Sequence, residues 1–109
     1  MLRLADVHID LARARATRAG RPLALTSRDL ALLALLVRQA GAVLSRQRLA
    51  RAIWRRDHDG RSNFVEVAMW RLRGKLDAQH APRLIHSVRG VGYICELRAT
   101  SPADRSPAR

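Results

Sequence analysis

NFVEVAMWRLRGKL, residues 63–76, is the stretch on which the fold turns. Val65, Met69, Leu72 and Leu76 recur at offsets of 0, 4, 7 and 11, so an α-helix gathers all four on one stripe. The same wheel turns Asn63, Val67, Trp70, Arg71 and Gly74 to the opposite side, which is basic and nearly free of acid. Such a helix has a core to lean on and an outer face shaped for a nucleic-acid groove.

The totals agree with that reading. At 109 residues the chain makes one domain with one core, and 48% hydrophobic residues argue against disorder throughout. The formal charge is +12, from 21 basic and 9 acidic residues, which points to a polyanionic partner. Lys75 is the only lysine; the preference for arginine fits a GC-rich genome, whereas the scarcity of acid does not follow from one. Cys95 stands alone, so an intramolecular disulfide and a cysteine-based zinc site are excluded, and a reducing cytoplasm fits. The longest apolar run, Leu30 to Val37, falls far short of the roughly 20 residues of a membrane helix. The N-terminus lacks a signal-peptide pattern, and the expectation is a soluble cytoplasmic domain with no membrane partner.

Working outward from the helix, residues 2–25 read as short strands with a turn at Ala5-Asp6. Arg13 and Arg15 alternate with Ala12, Ala14 and Ala16, the pattern of a solvated strand face. Ala19-Gly20 punctuates a hairpin into Arg21 to Leu25. Thr26 is a helix N-cap with Asp29 three residues on, an approximate capping box. The run LALLALLV that follows is apolar on every side, and Gly41 is its expected C′ residue. Ser45 caps the next helix, Arg46 to Trp54, which buries Leu49 and Ile53 and exposes Arg46, Arg48 and Arg51. Residues 55–62, with Asp57, Asp59 and Gly60, read as a loop. After the helix, which runs to about Asp77 or Ala78, LIHSV and YICEL form a hairpin around Arg89-Gly90-Val91-Gly92. Residues 98–109 carry two prolines and no apolar periodicity, and read as a disordered tail behind a domain spanning 2–97.

Catalytic chemistry finds no support. The four histidines are scattered without ligand spacing, and Asp57-His58-Asp59 reads as a polar loop rather than a metal site. Gly90-Val91-Gly92 lacks the third glycine of a nucleotide loop and precedes a strand. No serine sits in a nucleophile elbow, and no cofactor or metal is expected. The fold class is α+β: a winged helix-turn-helix with an N-terminal antiparallel sheet, three helices and a C-terminal β-hairpin wing. A B-DNA major groove, about 12 Å wide, admits one α-helix. Arg71 is suited to a bidentate contact with guanine, Asn63 to bases or phosphate, and Val67 to a thymine methyl. Arg73, near the core edge, suits a phosphate contact or an ion pair. Gly74 either allows close approach of the backbone or is neutral drift. Trp70 either packs against the wing or stacks on a deoxyribose.

The segments GAVLSRQRLARAIW, SNFVEVAMWRLRGKL and RLIHSVRGVGYICEL together resemble the effector domain of OmpR/PhoB-type response regulators, over about residues 2–97. The opening LADVHIDLARARATRAGRPLALT is most similar to the heavy-metal (copper-type) branch. That resemblance implies the output domain of a bacterial two-component transcription regulator, with residues 63–77 as recognition helix and Arg71 as a base reader. It further implies that Arg89 enters the adjacent minor groove, and that Arg46, Trp54 and Ser87 touch phosphates. The loop 55–62 is then expected to face RNA polymerase or a neighbouring protomer, and a second protomer to bind head to tail on tandem direct repeats. The sequence departs from the pattern in two places. Trp70 replaces a commonly basic phosphate contact, and Ser27-Arg28-Asp29-Leu30 replaces the usual Thr-Pro-x-Glu-Phe. No receiver domain precedes Met1, which leaves a fragment and a stand-alone effector both open. The competing readings are a non-specific basic module binding RNA or DNA, and a winged helix that binds protein.

Overall fold

The computed structural model describes residues 1–78 and 82–98. The chain opens with an antiparallel meander of β1 (Leu2–Leu4), β2 (Val7–Asp10), β3 (Arg15–Arg18) and β4 (Arg21–Pro22), paired in that order. The expected turn at Ala5-Asp6 is present, with Ala5 at φ 52°. At Ala19-Gly20 both residues take positive φ, 53° and 78°, as a two-residue type I′ hairpin turn requires. The alternation of Ala12 to Ala16 does not extend as a strand. Leu11 to Ala14 form a turn, closed by Ala14 N–H on the Leu11 carbonyl and Arg13 N–H on the Asp10 carboxylate. The Asp10 side chain satisfies the local backbone there, so ladder pairing begins only at Arg15.

Helix α1 (Ser27–Arg38) starts on the capping box read from the sequence. Thr26 Oγ1 accepts from the Asp29 amide at 3.1 Å and Asp29 returns the bond to the Thr26 amide at 3.0 Å, an arrangement that contributes about 1 kcal/mol. Leu30, Leu32, Leu33, Ala34, Leu36 and Val37 are buried, which explains the continuous apolar run. The helix ends earlier than Gly41: Gln39 is its cap, and Gly41, at φ 87°, instead donates its amide to the Cys95 carbonyl at 3.0 Å.

A second sheet has the order β5 (Val43–Ser45), β7 (Gly92–Cys95), β6 (Ile85–Val88), all antiparallel. Strand β5 is an element the sequence pattern did not reveal, because three residues are too few to show alternation. Gly92, placed in the turn by the sequence reading, opens β7. A Cβ there would lie 2.0 Å from the Leu44 carbonyl oxygen, so the close approach of β5 needs glycine. Between β5 and β6 along the chain come α2 (Arg46–Leu49), continued by a π-helical turn (Ala50–Trp54), and α3 (Phe64–Leu76). Arg55, at φ 57°, stops the π turn and starts the 55–62 loop.

One buried charge ties these pieces together. Arg18 is fully buried; its Nη1 donates to Asp77 Oδ1 at 2.8 Å and to the Leu76 carbonyl at 2.9 Å. Its Nε reaches Asp6 Oδ1 at 3.0 Å, and its Nη2 bonds the Pro82 carbonyl. Asp77 also accepts the amides of Leu84 and Ile85, both at 3.1 Å. The first sheet, the end of α3 and the root of the wing therefore meet at one guanidinium.

Removing one partner of a buried ion pair costs about 3–5 kcal/mol, because the other charge stays buried unpaired. Arg18→Ala is expected to lower unfolding stability by about that amount in urea titrations; a loss under about 0.5 kcal/mol would show that the network is ornamental. A second ion pair predicts a pH dependence. Burial alone would raise the Asp29 carboxyl, but hydrogen bonds from Lys75 Nζ (2.6 Å) and Thr26 hold it below its usual value of 3.8. With the folded value depressed, the stabilisation is fully present above 3.8 and is lost as pH falls through the lower folded value. Lys75→Met should flatten the loss of stability as pH falls below 3.8; an equally steep acid limb in that variant overturns the assignment.

Candidate nucleic-acid interface

The aliphatic seam of α3 points inward: Val65, Met69, Leu72 and Leu76 are all 0% exposed. Each such side chain gains about 1.5–3 kcal/mol from burial, which fixes the rotation of the helix about its axis. The opposite face is left in solvent. Arg71 and Gly74 are exposed, and Trp70 is 76% exposed, so it does not pack against the wing. Nothing lies within 4 Å of a Cβ built on Gly74.

Two clefts flank this ridge, and Arg71 borders both. One, of about 510 Å³, brings Trp54, Val67 and Arg71 together with Thr26 and Arg28 of the α1 start. The other, of about 620 Å³, is lined by Trp70, Arg71, Arg73, Gly74 and Arg83. Arg73 is half-buried and its Nη1 donates to Ser87 Oγ at 3.1 Å, a polar link between α3 and wing strand β6. Asn63 is the N-cap of α3 and is exposed, though its side chain makes no capping bond. Arg89 is exposed on the wing turn beside Gly90, whose φ of 77° the turn requires. Among the described residues neither Arg71 nor Arg89 enters an ion pair.

Arg46 differs from expectation. It is half-buried rather than exposed, its Nε paired with Glu66 Oε2 at 3.0 Å and its guanidinium 5.5 Å from the centre of the Tyr93 ring. The pair holds the start of α2 to the first turn of α3, a spatial coincidence that spacing along the chain did not announce. Ile53, in the π turn, is only half-buried, though it still packs against the core. The 55–62 loop is shaped by local bonds. Asp57 takes Arg51 at 2.8 Å and Gln47 at 3.2 Å, and Asp59 accepts the amides of Arg61 and Ser62. These contacts pull the Asp57 and Asp59 carboxyls below their usual range.

Aromatic contacts link the second helix to the third. Trp54 stands edge-on to Phe64 at 5.1 Å, Arg28 lies 5.3 Å over Trp54, and Arg56 lies 4.1 Å over Phe64. Sequence reasoning missed Arg28, reading Ser27-Arg28-Asp29 only as a helix start. Cys95 is buried in β7, and burial pushes its thiol up to about 12. Among the described residues no group of three His, Cys, Asp or Glu side chains is arranged to hold a metal, and no helix is long and apolar enough to cross a membrane.

Residues 20–95 match the family described as "Transcriptional regulatory protein, C terminal". The chain belongs to this family. One relative is the transcriptional activator protein IrlR of Burkholderia pseudomallei strain 1026b, 43% identical over 105 residues, which cover 96% of this chain and 46% of the relative. Another is the transcriptional regulatory protein CusR of Escherichia coli K12, 42% identical over 94 residues, covering 86% of this chain and 41% of the relative. The chain therefore spans just under half the length of these curated relatives. Among solved structures, the DNA-binding domain of Klebsiella pneumoniae RstA in complex with the RstA box superimposes with a TM-score of 0.80 at 30% identity, covering 87% of this chain and 95% of that one. Family membership agrees with the OmpR/PhoB resemblance carried by the VRGVGY and RLRGKL segments, and the α+β winged-helix fold is shared.

The division of α3 into two faces has a direct test. Met69→Ala, emptying a buried site, should cost about 2–5 kcal/mol. Trp70→Ala, one residue along, should change stability by no more than about 0.5 kcal/mol. Equal losses in chemical denaturation would mean that the helix is rotated from the orientation described.

Proposed function

We propose that this chain binds duplex DNA in a sequence-specific manner as the output domain of a bacterial two-component transcription regulator. The observation that carries the reading is the outward face of α3, where Trp70, Arg71 and Gly74 are exposed while the whole aliphatic seam is buried. RstA, whose domain shares this fold, is described bound to its DNA box, and by likeness duplex DNA is the partner assigned here. The helix and its caps, residues 63–77, enter the major groove. Arg71 supplies a bidentate base contact, Val67 an apolar contact to a thymine methyl, and Asn63 a polar contact at the first turn.

Phosphate contacts are assigned to Trp54, Ser87, Arg73 and Arg46. Arg46 uses its Nε on Glu66 and retains further guanidinium donors for a phosphate. Trp70 lays its indole on a deoxyribose, and Arg89 reaches the adjacent minor groove, where arginine is drawn by the negative potential. The 55–62 loop is proposed to meet RNA polymerase, and a second protomer to occupy the next of two tandem direct repeats. A cytoplasmic location and a working domain of residues 2–97 follow from this reading. The tail expected over 98–109 lies outside the described residues beyond Arg98, which pairs with Glu96 at 2.9 Å.

The test starts by selecting bound duplexes from a random pool and scrambling the selected sequence as a control. Specific readers discriminate by roughly 10³-fold or more. Arg71→Ala should lose about 1–3 kcal/mol, roughly 5- to 150-fold, on the selected duplex, with far less change on the scrambled one. Equal losses on both would reduce Arg71 to a phosphate anchor, and wild-type protein showing no preference would favour the non-specific basic module.

A further inference from the structure

We propose that Arg28, stacked on Trp54 at the mouth of the cleft between α1 and α3, seats a backbone phosphate of the bound duplex. The inference rests on the duplex-DNA reading of the same surface and adds a contact on a different helix. The cleft, about 510 Å³, is walled on one side by Thr26 and Arg28 and on the other by Val67, Arg71 and Lys75, with Trp54 between. Phe64, Val67, Ala68, Arg71 and Lys75 line it at helical spacing, so it runs along α3 for about 16 Å at 1.5 Å per residue.

The charges within the cleft are unequal in what they have left to give. Lys75 is neutralised by Asp29 at 2.6 Å. The amides of Thr26 and Asp29 are consumed by the capping box, while those of Ser27 and Arg28, at the same end of α1 as the Arg28 side chain, have no hydrogen-bond partner among the described residues. Arg28 and Arg71 remain as cleft cations without an ion pair among the described residues. Arg71 stands on the groove side, where the base contact is assigned. Arg28 stands across the cleft from it, on α1.

The stacking geometry suits a phosphate ligand. Arg28 is held over the ring by a cation–π contact and makes no side-chain hydrogen bond among the described residues, so its N–H donors remain for phosphate oxygens. Trp54 is held in turn by its edge-on contact with Phe64, so the platform under Arg28 is positioned before any ligand arrives. Substituting Arg28 therefore removes one sequence-independent contact and leaves base reading at Arg71 intact.

The experiment measures equilibrium binding of the full chain to the selected and scrambled duplexes across a salt series, for wild type, Arg28→Gln, Arg28→Ala and Arg28→Lys, with thermal unfolding to confirm that each is folded. Each neutralised phosphate contributes about −0.9 to the slope of log affinity against log salt. Arg28→Gln and Arg28→Ala are expected to shrink the slope by about 0.9, to weaken both duplexes by the same factor, and to keep the selected-to-scrambled ratio. Arg28→Lys should restore the slope. An unchanged slope in folded Gln and Ala variants overturns the proposal while wild-type binding upholds the DNA reading; a loss confined to the selected duplex overturns it in favour of base contact. Wild-type protein that binds no duplex at low salt overturns both.

Discussion

A single guanidinium sits where three parts of the chain have to agree. Arg18 comes from the meander, Asp77 from the cap of α3, and the Leu84 and Ile85 amides from the wing root, and all of them share hydrogen bonds in one buried cluster. A charge buried this completely is tolerated only when its donors are satisfied, so the cluster forms as a unit or is costly. Its position matters for the outer surface. By anchoring the end of α3 and the start of β6 to one carboxylate, it sets the offset between the exposed helix face and the wing turn. The Arg73 to Ser87 bond reinforces that offset one layer further out.

Around this anchor the remaining cations divide by function. Those that the fold uses are paired: Arg18 with Asp77 and Asp6, Lys75 with Asp29, Arg46 with Glu66 and Arg51 with Asp57. Arg28, Arg71 and Arg89 are exposed, and none of the three enters an ion pair among the described residues. The acids that approach α3, Asp29, Glu66 and Asp77, are already spent on internal pairs, so the cations on its outward face are left uncompensated.

Much of this was legible along the chain because it is local. The seam of α3, the Thr26 capping box, the Ser45 cap and the hairpin at Arg89-Gly90 depend on residues within one or two turns of each other, and their spacing carries them. What was hidden is non-local. Arg18 occupies an inward position of β3 two residues from Ala16, and nothing in its local pattern announces a partner 59 residues away. Strand β5 was invisible because its identity comes from pairing with β7, with no pattern of its own. The Glu66 pairing withdrew Arg46 by a tertiary contact that overrides helical periodicity. Arg28 was overlooked because Trp54, its platform, lies 26 positions downstream.

The lone thiol of β7 has a practical corollary. With its ionisation pushed up to about 12 and its side chain enclosed, Cys95 is protonated almost entirely at neutral pH. Disulfide-linked dimers and maleimide adducts should accordingly be negligible while the domain is folded. A cysteine introduced at the wing turn, at Val91 for instance, can then be labelled selectively without first removing the native one.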